Sequence, residues 1–359
     1  MKPITAYLRK ELLDLSPYTP GEQPNLGARI IKLNTNENPY PPSPNIAKAI
    51  ENIITNGTLR KYPNYNGRSL RKSIAERFGL DPDQVLITNG SDEALRLLFQ
   101  AILSPGDQVV APEPTYSLYP VLTDLLMANI LFKRIPLTSD LHFDFHALKK
   151  ESGKLLAFAH PNAPTGILES KTELKNLILS FDGIVLSDEA YIDFANPNMS
   201  LIDEIKNHPN LVVTRTFSKS YSLAGLRVGF LIGEKNFIQY ISKLKDSYNV
   251  GLLEQEIAQV AFEDDDYFKK NVQLVIEERT RLTNELKVLG FEIPDSSTNF
   301  IFCKPKIGLD PEWIYTALKE RGILVRYFSK GIAKNYVRIS IGSKEENDDL
   351  LKELNILLK

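Results

Sequence analysis

Thr216-Phe217-Ser218-Lys219-Ser220-Tyr221-Ser222-Leu223-Ala224-Gly225-Leu226-Arg227-Val228-Gly229 sets one lysine among small hydroxyl residues, between two apolar runs. Leu211-Val212-Val213-Thr214 before it and Val228-Gly229-Phe230-Leu231-Ile232 after it read as buried strands, so the lysine falls on a connection at strand ends. Open α/β sheets bind their ligands there. A lysine that is to form a Schiff base must give up its proton easily, and partial burial together with a nearby cation such as Arg227 lowers its pKa in that direction. Lys219 is therefore the candidate catalytic residue, and its small neighbours leave room for a flat ring. A bare Ser-Lys-Ser would carry little weight, because matches that short also occur on solvated loops.

Outward from this stretch, short apolar runs alternate with helical ones. Val85-Leu86-Ile87-Thr88, Gln108-Val109-Val110-Ala111, 130–135, Leu155-Leu156-Ala157-Phe158-Ala159 and Ile184-Val185-Leu186-Ser187 read as strands. The alternation predicts an α/β fold: a large domain with a mostly parallel sheet flanked by helices, then a smaller α+β domain. The expected boundaries are an N-terminal arm at 1–30, the large domain at 31–245 and the small domain at 246–359. Residues 45–56 read as a helix, and the pattern turns helical again from 241 to 289, with Glu263-Asp264-Asp265-Asp266 expected as a solvated helix junction. Between 16 and 24, Pro17, Pro20 and Pro24 favour an extended arm.

Totals narrow the function. The chain has 359 residues, 43% hydrophobic and 25% charged, which is the composition of a globular protein with a large core. Its 43 basic and 45 acidic side chains leave a net charge of −2, without the basic excess that marks nucleic-acid or anionic-membrane binding. Cys303, the single cysteine, forms no intrachain disulfide and reads as core in Phe300-Ile301-Phe302-Cys303. The start lacks the apolar core of a signal peptide and no uncharged apolar run is long enough to span a bilayer, so the expected location is the cytoplasm.

Several local patterns carry chemistry, each with a plainer reading beside it. Asn89-Gly90-Ser91-Asp92-Glu93 turns a strand into a helix, with Ser91 as its expected N-cap. Such a turn offers backbone N–H groups to an anion, provided that the carboxylates of Asp92 and Glu93 point away. Tyr116 follows a strand end, where it either packs in the core or faces a ligand. His142 and His146 have a spacing that can hold a metal on a helix, but the alternation of Phe143 and Phe145 reads as extended. Asp188 and Tyr191 stand at another strand end; Asp188-Glu189 could suggest a nucleotide-bound metal, but no phosphate-loop sequence accompanies it. Arg326 and Arg338 sit in strand-like apolar runs, where an unpaired guanidinium is costly and salt bridges would satisfy both.

Thr-aromatic-Ser-Lys-Ser with Gly225 and Arg227 downstream resembles the lysine signature of the fold type I aminotransferases that depend on pyridoxal phosphate (PLP). Leu33-Asn34-Thr35-Asn36-Glu37-Asn38-Pro39-Tyr40, which composition alone would leave as a linker, is similar to a motif of the histidinol-phosphate aminotransferases. The resemblance implies that Lys219 carries PLP as a Schiff base and that Ser218, Arg227, Gly90, Ser91 and Asp92 hold its phosphate. It implies that Tyr116 stacks on the ring, that Tyr191 donates to the phenolic oxygen and that Asp188 keeps the pyridine nitrogen protonated. Tyr62, in a Tyr-Pro loop, would reach the phosphate of a neighbouring subunit, and with it comes the expectation of a homodimer. Arg338 would fork onto a substrate carboxylate, with Arg326, Tyr18 and Asn38 around the rest of the substrate. His160-Pro161-Asn162-Ala163-Pro164-Thr165-Gly166 departs from the pattern: Ala163 stands where the family has an asparagine donor, so either Asn162 takes its place or the donor is missing. The implied reaction exchanges an amino group between L-histidinol phosphate and 2-oxoglutarate. A related enzyme acting on aromatic amino acids, or decarboxylating an amino-acid phosphate, and a non-catalytic PLP-sensing regulator remain as other readings.

Overall fold

The computed structural model describes residues 3–13, 15–18, 21–23 and 30–358. Pro17 lies in irregular chain, as expected of an arm, whereas Pro20 and Pro24 fall outside the described residues. The main sheet has seven strands in the spatial order Val85–Thr88, Gly229–Ile232, Leu211–Thr216, Ile184–Asp188, Leu155–Ala159, Gln108–Glu113, Leu131–Pro136. All run parallel except Gly229–Ile232, which is antiparallel to both neighbours. The expected mostly parallel sheet is present, and the lysine stretch is the connection between its one reversed strand and Leu211–Thr216. Alternate strand residues feed two cores: Val110, Leu156, Val185 and Val213 pack on one face, Val109, Leu155, Leu186 and Val212 on the other. Burial on both faces explains why these strands read as continuous apolar runs.

The turn after Val85–Thr88 differs from its expected form. The helix is Gly90–Ile102, capped at Asn89, and Ser91 is inside it rather than at its cap. Gly90 takes φ +73°, which lets the chain turn one residue earlier, and the Glu93 carboxylate accepts the Asn89 N–H at 2.6 Å.

A second core forms around a three-stranded antiparallel sheet, Arg326–Tyr327, Val337–Ser340 and Phe300–Cys303, with helices Asp265–Val288, Pro311–Glu320 and Lys344–Leu357. Cys303 is buried in it. Sequence predicts one strand over 323–327; the structure splits it, with Ile323–Leu324 pairing in parallel with Ile31–Lys32 and Arg326–Tyr327 pairing with the Arg338 strand. Arg326 and Arg338 are direct cross-strand partners. The acidic junction also differs from a simply solvated one, because Asp264 accepts hydrogen bonds from Ser43 Oγ at 2.5 Å and Asn45 Nδ2 at 2.9 Å. His142 Nδ1 lies 3.0 Å from Glu169 Oε2, and Phe145 is not extended but opens the short helix Phe145–Leu148, capped by Asp144.

Candidate active site

The C-terminal ends of Val85–Thr88, Gln108–Glu113, Ile184–Asp188 and Leu211–Thr216 converge on one cavity of about 200 Å³. They bring Ser91 and Asp92, Tyr116, Asp188 and Tyr191, and Ser218 and Lys219 to its wall. Arg227 enters from the lysine connection, Tyr18 from the arm, and Arg326 and Arg338 from the small sheet. Residues 34–37 close the remaining side.

Lys219 Nζ donates to the Thr35 carbonyl at 3.1 Å and has no carboxylate partner among the described residues. Burial first, then the Arg338 guanidinium, push its pKa down to about 8; Arg227 contributes less, and Glu37 and Asp92 pull the other way. Proximity in sequence favours Arg227 as the nearby cation, whereas the stronger one is Arg338, which the fold brings in from a distant strand.

Asp188 is buried at the cavity floor. Tyr119 donates its hydroxyl to Oδ2 at 3.1 Å and the Ala190 N–H reaches Oδ1 at 3.2 Å. Burial outweighs these bonds and raises the carboxyl pKa to about 6. The Tyr191 hydroxyl accepts from Asn36 Nδ2 at 2.9 Å, and its ring stands edge-on to Phe300. Tyr116 packs edge-on against Tyr119 at 5.7 Å and donates to Asp92 Oδ1 at 3.2 Å.

At the other end of the cavity Arg227 adopts φ +56°, donates to Ser218 Oγ at 3.2 Å and pairs with Asp92 at 3.0 Å. A Cβ on Gly90 would lie 2.5 Å from Arg227 Nη2, and one on Gly229 2.6 Å from the Ser91 N. These glycines are what allow the helix start, the lysine connection and the guanidinium to crowd together. Arg338 donates to the Asn34 carbonyl at 2.8 Å, lies over Phe300 and Phe328, and leaves a buried Nε without a partner. Neither Arg338 nor Arg326 has an ion-pair partner among the described residues, so the salt bridges that sequence would accept are not what satisfies them.

Four candidates stand outside the cavity wall: Gly90, which packs against Arg227, and three others. Asn162 is buried, with Nδ2 donating to the Pro114 carbonyl and to Thr165 Oγ1, while Ala163 lines the cavity. Asn38 Nδ2 donates to the Lys219 carbonyl at 3.1 Å, which ties residues 34–38 to the lysine connection. Tyr62 is 81% exposed and stacks on Tyr248 at 4.5 Å. Sequence reasoning missed Tyr119, Thr35, Asn36 and Glu37. Tyr119 lies three residues after Tyr116, which precedes the helix Leu118–Leu125, and nothing in that spacing flags it; Asn36 takes φ +57°, a conformation that asparagine tolerates but does not announce.

The residues fit PLP. The amine of low pKa, the buried carboxylate, the aromatic face of Tyr116 and the Arg227–Ser218 donors at a helix start match the aldehyde, pyridine nitrogen, ring and phosphate. The aminotransferase class I and II family profile matches residues 28–354. Histidinol-phosphate aminotransferase of Brachyspira hyodysenteriae is 42% identical over 99% of this chain and 100% of its own length, and histidinol-phosphate aminotransferase 1 of Trichormus variabilis is 39% identical with the same coverage. In structure, histidinol-phosphate aminotransferase from Sinorhizobium meliloti, solved with pyridoxal-5'-phosphate, superposes with a TM-score of 0.84 at 23% identity over 91% of this chain and 90% of that one. That likeness establishes the fold, which is the fold type I architecture of PLP enzymes. The chain belongs to the class I and II aminotransferases, among their histidinol-phosphate aminotransferase members. It is a PLP-dependent enzyme.

Proposed function

We propose that the protein transfers the amino group of L-histidinol phosphate to 2-oxoglutarate, forming imidazole-acetol phosphate and L-glutamate in histidine biosynthesis. The observation that supports it best is the pair of cavity-facing guanidiniums, Arg326 and Arg338, without acidic partners among the described residues. Both substrates are anions, one a phosphate ester and the other a dicarboxylate, and an unpaired guanidinium fork suits either.

When bound, PLP supplies an aldehyde that condenses with amines and a protonated ring that withdraws electrons from the substrate Cα. The chain's residues then have distinct tasks. Lys219 would hold the cofactor through its Nζ, and once that Nζ is free it would take the Cα proton; a pKa near 8 would make the amine a competent base near neutral pH. Asp188, with Tyr119 and the Ala190 N–H on its oxygens, places a carboxylate where the pyridine nitrogen needs its proton. Tyr191 offers its hydroxyl to the phenolic oxygen, the task that Ala163 cannot perform. Ser91, Ser218 and Arg227 bind the phosphate, and Asp92 must release Arg227 in part to permit it. Arg338 takes the carboxylate of glutamate, and Arg326 with Tyr18 takes the distal phosphate of histidinol phosphate.

We also propose a homodimer in the cytoplasm. An exposed tyrosine stacked on another, Tyr62 on Tyr248, suits a face that meets a second copy, and no helix among the described residues is long and apolar enough to cross a membrane. Weaker PLP retention by Tyr62→Phe, together with a dimeric sedimentation coefficient, would support that assignment, and a monomer with normal retention would overturn it.

The test of function is visible absorption of the PLP-loaded enzyme. Histidinol phosphate alone should bleach the cofactor band and 2-oxoglutarate should restore it. A band unmoved by histidinol phosphate overturns the substrate; carbon dioxide release would instead indicate decarboxylation.

A further inference from the structure

Beneath the cavity floor lies a buried charge cluster that the reaction as described does not use. Arg215, 8% exposed, sits on the strand leading to Lys219. Its Nε donates to Glu189 Oε2 at 3.1 Å, its Nη2 to Ser200 Oγ at 2.9 Å and its Nη1 to Asp193 Oδ1 at 2.7 Å. Glu189, the neighbour of Asp188, is also held by the Leu201 N–H and Ser200 Oγ. Asp193, two residues beyond Tyr191, keeps one oxygen on Arg215, and its Oδ2 accepts the hydroxyl of Ser220 at 2.5 Å. Ser220 follows Lys219 in the chain and is 2% exposed. From the opposite side Asn38 Nδ2 holds the Lys219 carbonyl.

One carboxylate thus joins two parts of the site that the sequence separates: the turn bearing Asp188 and Tyr191, and the connection bearing Lys219. We infer that Asp193 and Ser220 are positioning residues for Lys219, with Arg215 fixing the Asp193 carboxylate so that its second oxygen holds the lysine connection in register with the Asp188–Tyr191 turn. Neither touches the reacting atoms. Arg215 alone would be satisfied by Glu189 and Ser200, and Ser220 alone would need only some acceptor; the shared carboxylate makes the arrangement a link. Its consequence is geometric, because a base displaced by a fraction of an ångström from its proton loses rate while the substrate still binds.

The inference rests on Lys219 carrying PLP, not on the identity of the amino donor, so its test uses the holoenzyme and L-glutamate. Ser220→Ala should lower the single-turnover rate about tenfold with the apparent dissociation constant for glutamate moved less than about twofold. It should also move the pH midpoint of the cofactor's visible band by about half a unit or more, since the lysine nitrogen shifts against its surroundings. Asp193→Ala should act alike, the double variant should be no slower than the slower single, and Ser220→Thr, which keeps the hydroxyl, should recover at least half of the rate. A Ser220→Ala enzyme with unchanged rate and midpoint overturns the link, as do additive losses in the double variant, which point to general loosening. If Ser220→Ala does not retain cofactor, the decision falls to Asp193→Asn, whose uncharged amide should give an intermediate midpoint; no shift there overturns the link. A wild-type protein with no PLP-dependent visible band overturns both this inference and the cofactor site beneath it.

Discussion

Arg215 and Arg338 are both arginines on strands, one beneath the active site and the other in its wall, and they are held in opposite ways. Arg215 is surrounded: two carboxylates and a hydroxyl take its donors. Arg338, in the cavity wall, has a backbone carbonyl and two aromatic rings, and its buried Nε has no partner among the described residues. Leaving a guanidinium unpaired in a folded protein is costly, and burial lowers the pKa of Arg338. A chain that satisfies Arg215 so fully could have supplied a carboxylate to Arg338 as well. That it does not is the physical signature of a group kept for an anionic ligand, whereas a saturated cluster has no capacity left to bind anything. Lys219 stands with Arg338: a single carbonyl acceptor, no acidic partner among the described residues, and a depressed pKa.

The contrast implies that removing the poorly satisfied cations harms function and spares stability, and that removing the saturated one costs stability first, with only the indirect loss of rate that follows from freeing Asp193. Lys219→Ala carries the largest expected effect: turnover should fall about 10⁴-fold or more, since the covalent anchor and the base disappear together, while PLP uptake persists and the melting temperature of the apoprotein does not fall. Near-normal steady-state rates would remove Lys219 from the mechanism. Arg215→Ala should lower folding stability by about 3–5 kcal/mol, because two carboxylates then share a buried site without their cation; chemical denaturation measures it, and an unchanged midpoint would mean that the cluster is relaxed by water. For Arg338→Ala the expected change is in binding, with the apparent KM for glutamate raised about 100-fold, equivalent to about 3 kcal/mol for a bidentate pair. A KM unchanged alongside a lower melting temperature would make Arg338 a structural residue like Arg215 and dissolve the comparison.

Local pattern explains why the lysine connection, the strand ends and the mostly parallel sheet were legible. Ile184–Asp188 and Leu211–Thr216 are largely apolar runs whose site residues follow directly in sequence, and Gly229–Ile232 is the apolar run that closes the lysine connection. Partnership between distant segments was not legible. Nothing near Lys219 in the sequence marks Arg338 as the cation that most depresses its pKa, since that proximity exists only because the small sheet sets Arg338 on the Asn34 carbonyl in the cavity wall. The split of 323–327 between two sheets was hidden for the same reason: Ile323–Leu324 finds its partner in Ile31–Lys32, almost a whole chain away. Tyr119 carries no motif of its own in the sequence, and only its 3.1 Å bond to Asp188 separates it from core. The sequence sets Ser220 beside Lys219 and Asp193 beyond Tyr191 but does not pair them, and the cluster that does so buries Ser220 and half-buries Asp193.

The smallest expected effect is the most discriminating, because it gives the cost of the unpaired lysine its own pH dependence. The pKa of Lys219 is about 8 in the folded chain against 10.5 for an ordinary lysine. Between those values the unfolded chain holds more protons than the folded one, so this residue's contribution to stability rises with pH across that interval. Below pH 8 both states carry the charge and the folded state bears the full penalty of burying it; above 10.5 neither does. Replacing Lys219 with methionine, of similar length and no charge, should therefore stabilise the apoprotein below pH 8, with the gain shrinking from pH 8 upward and disappearing near 10.5. Arginine side chains keep their proton in proteins at these pH values, so Arg215→Met offers the control and should destabilise the protein by an amount that does not change over the same range. Urea midpoints of the two variants and the parent apoprotein, taken across that interval, decide the matter. A constant difference for Lys219→Met would mean that the amine titrates as an ordinary solvated lysine, and its readiness to act as a base near neutral pH would then have to come from the bound cofactor rather than from the fold.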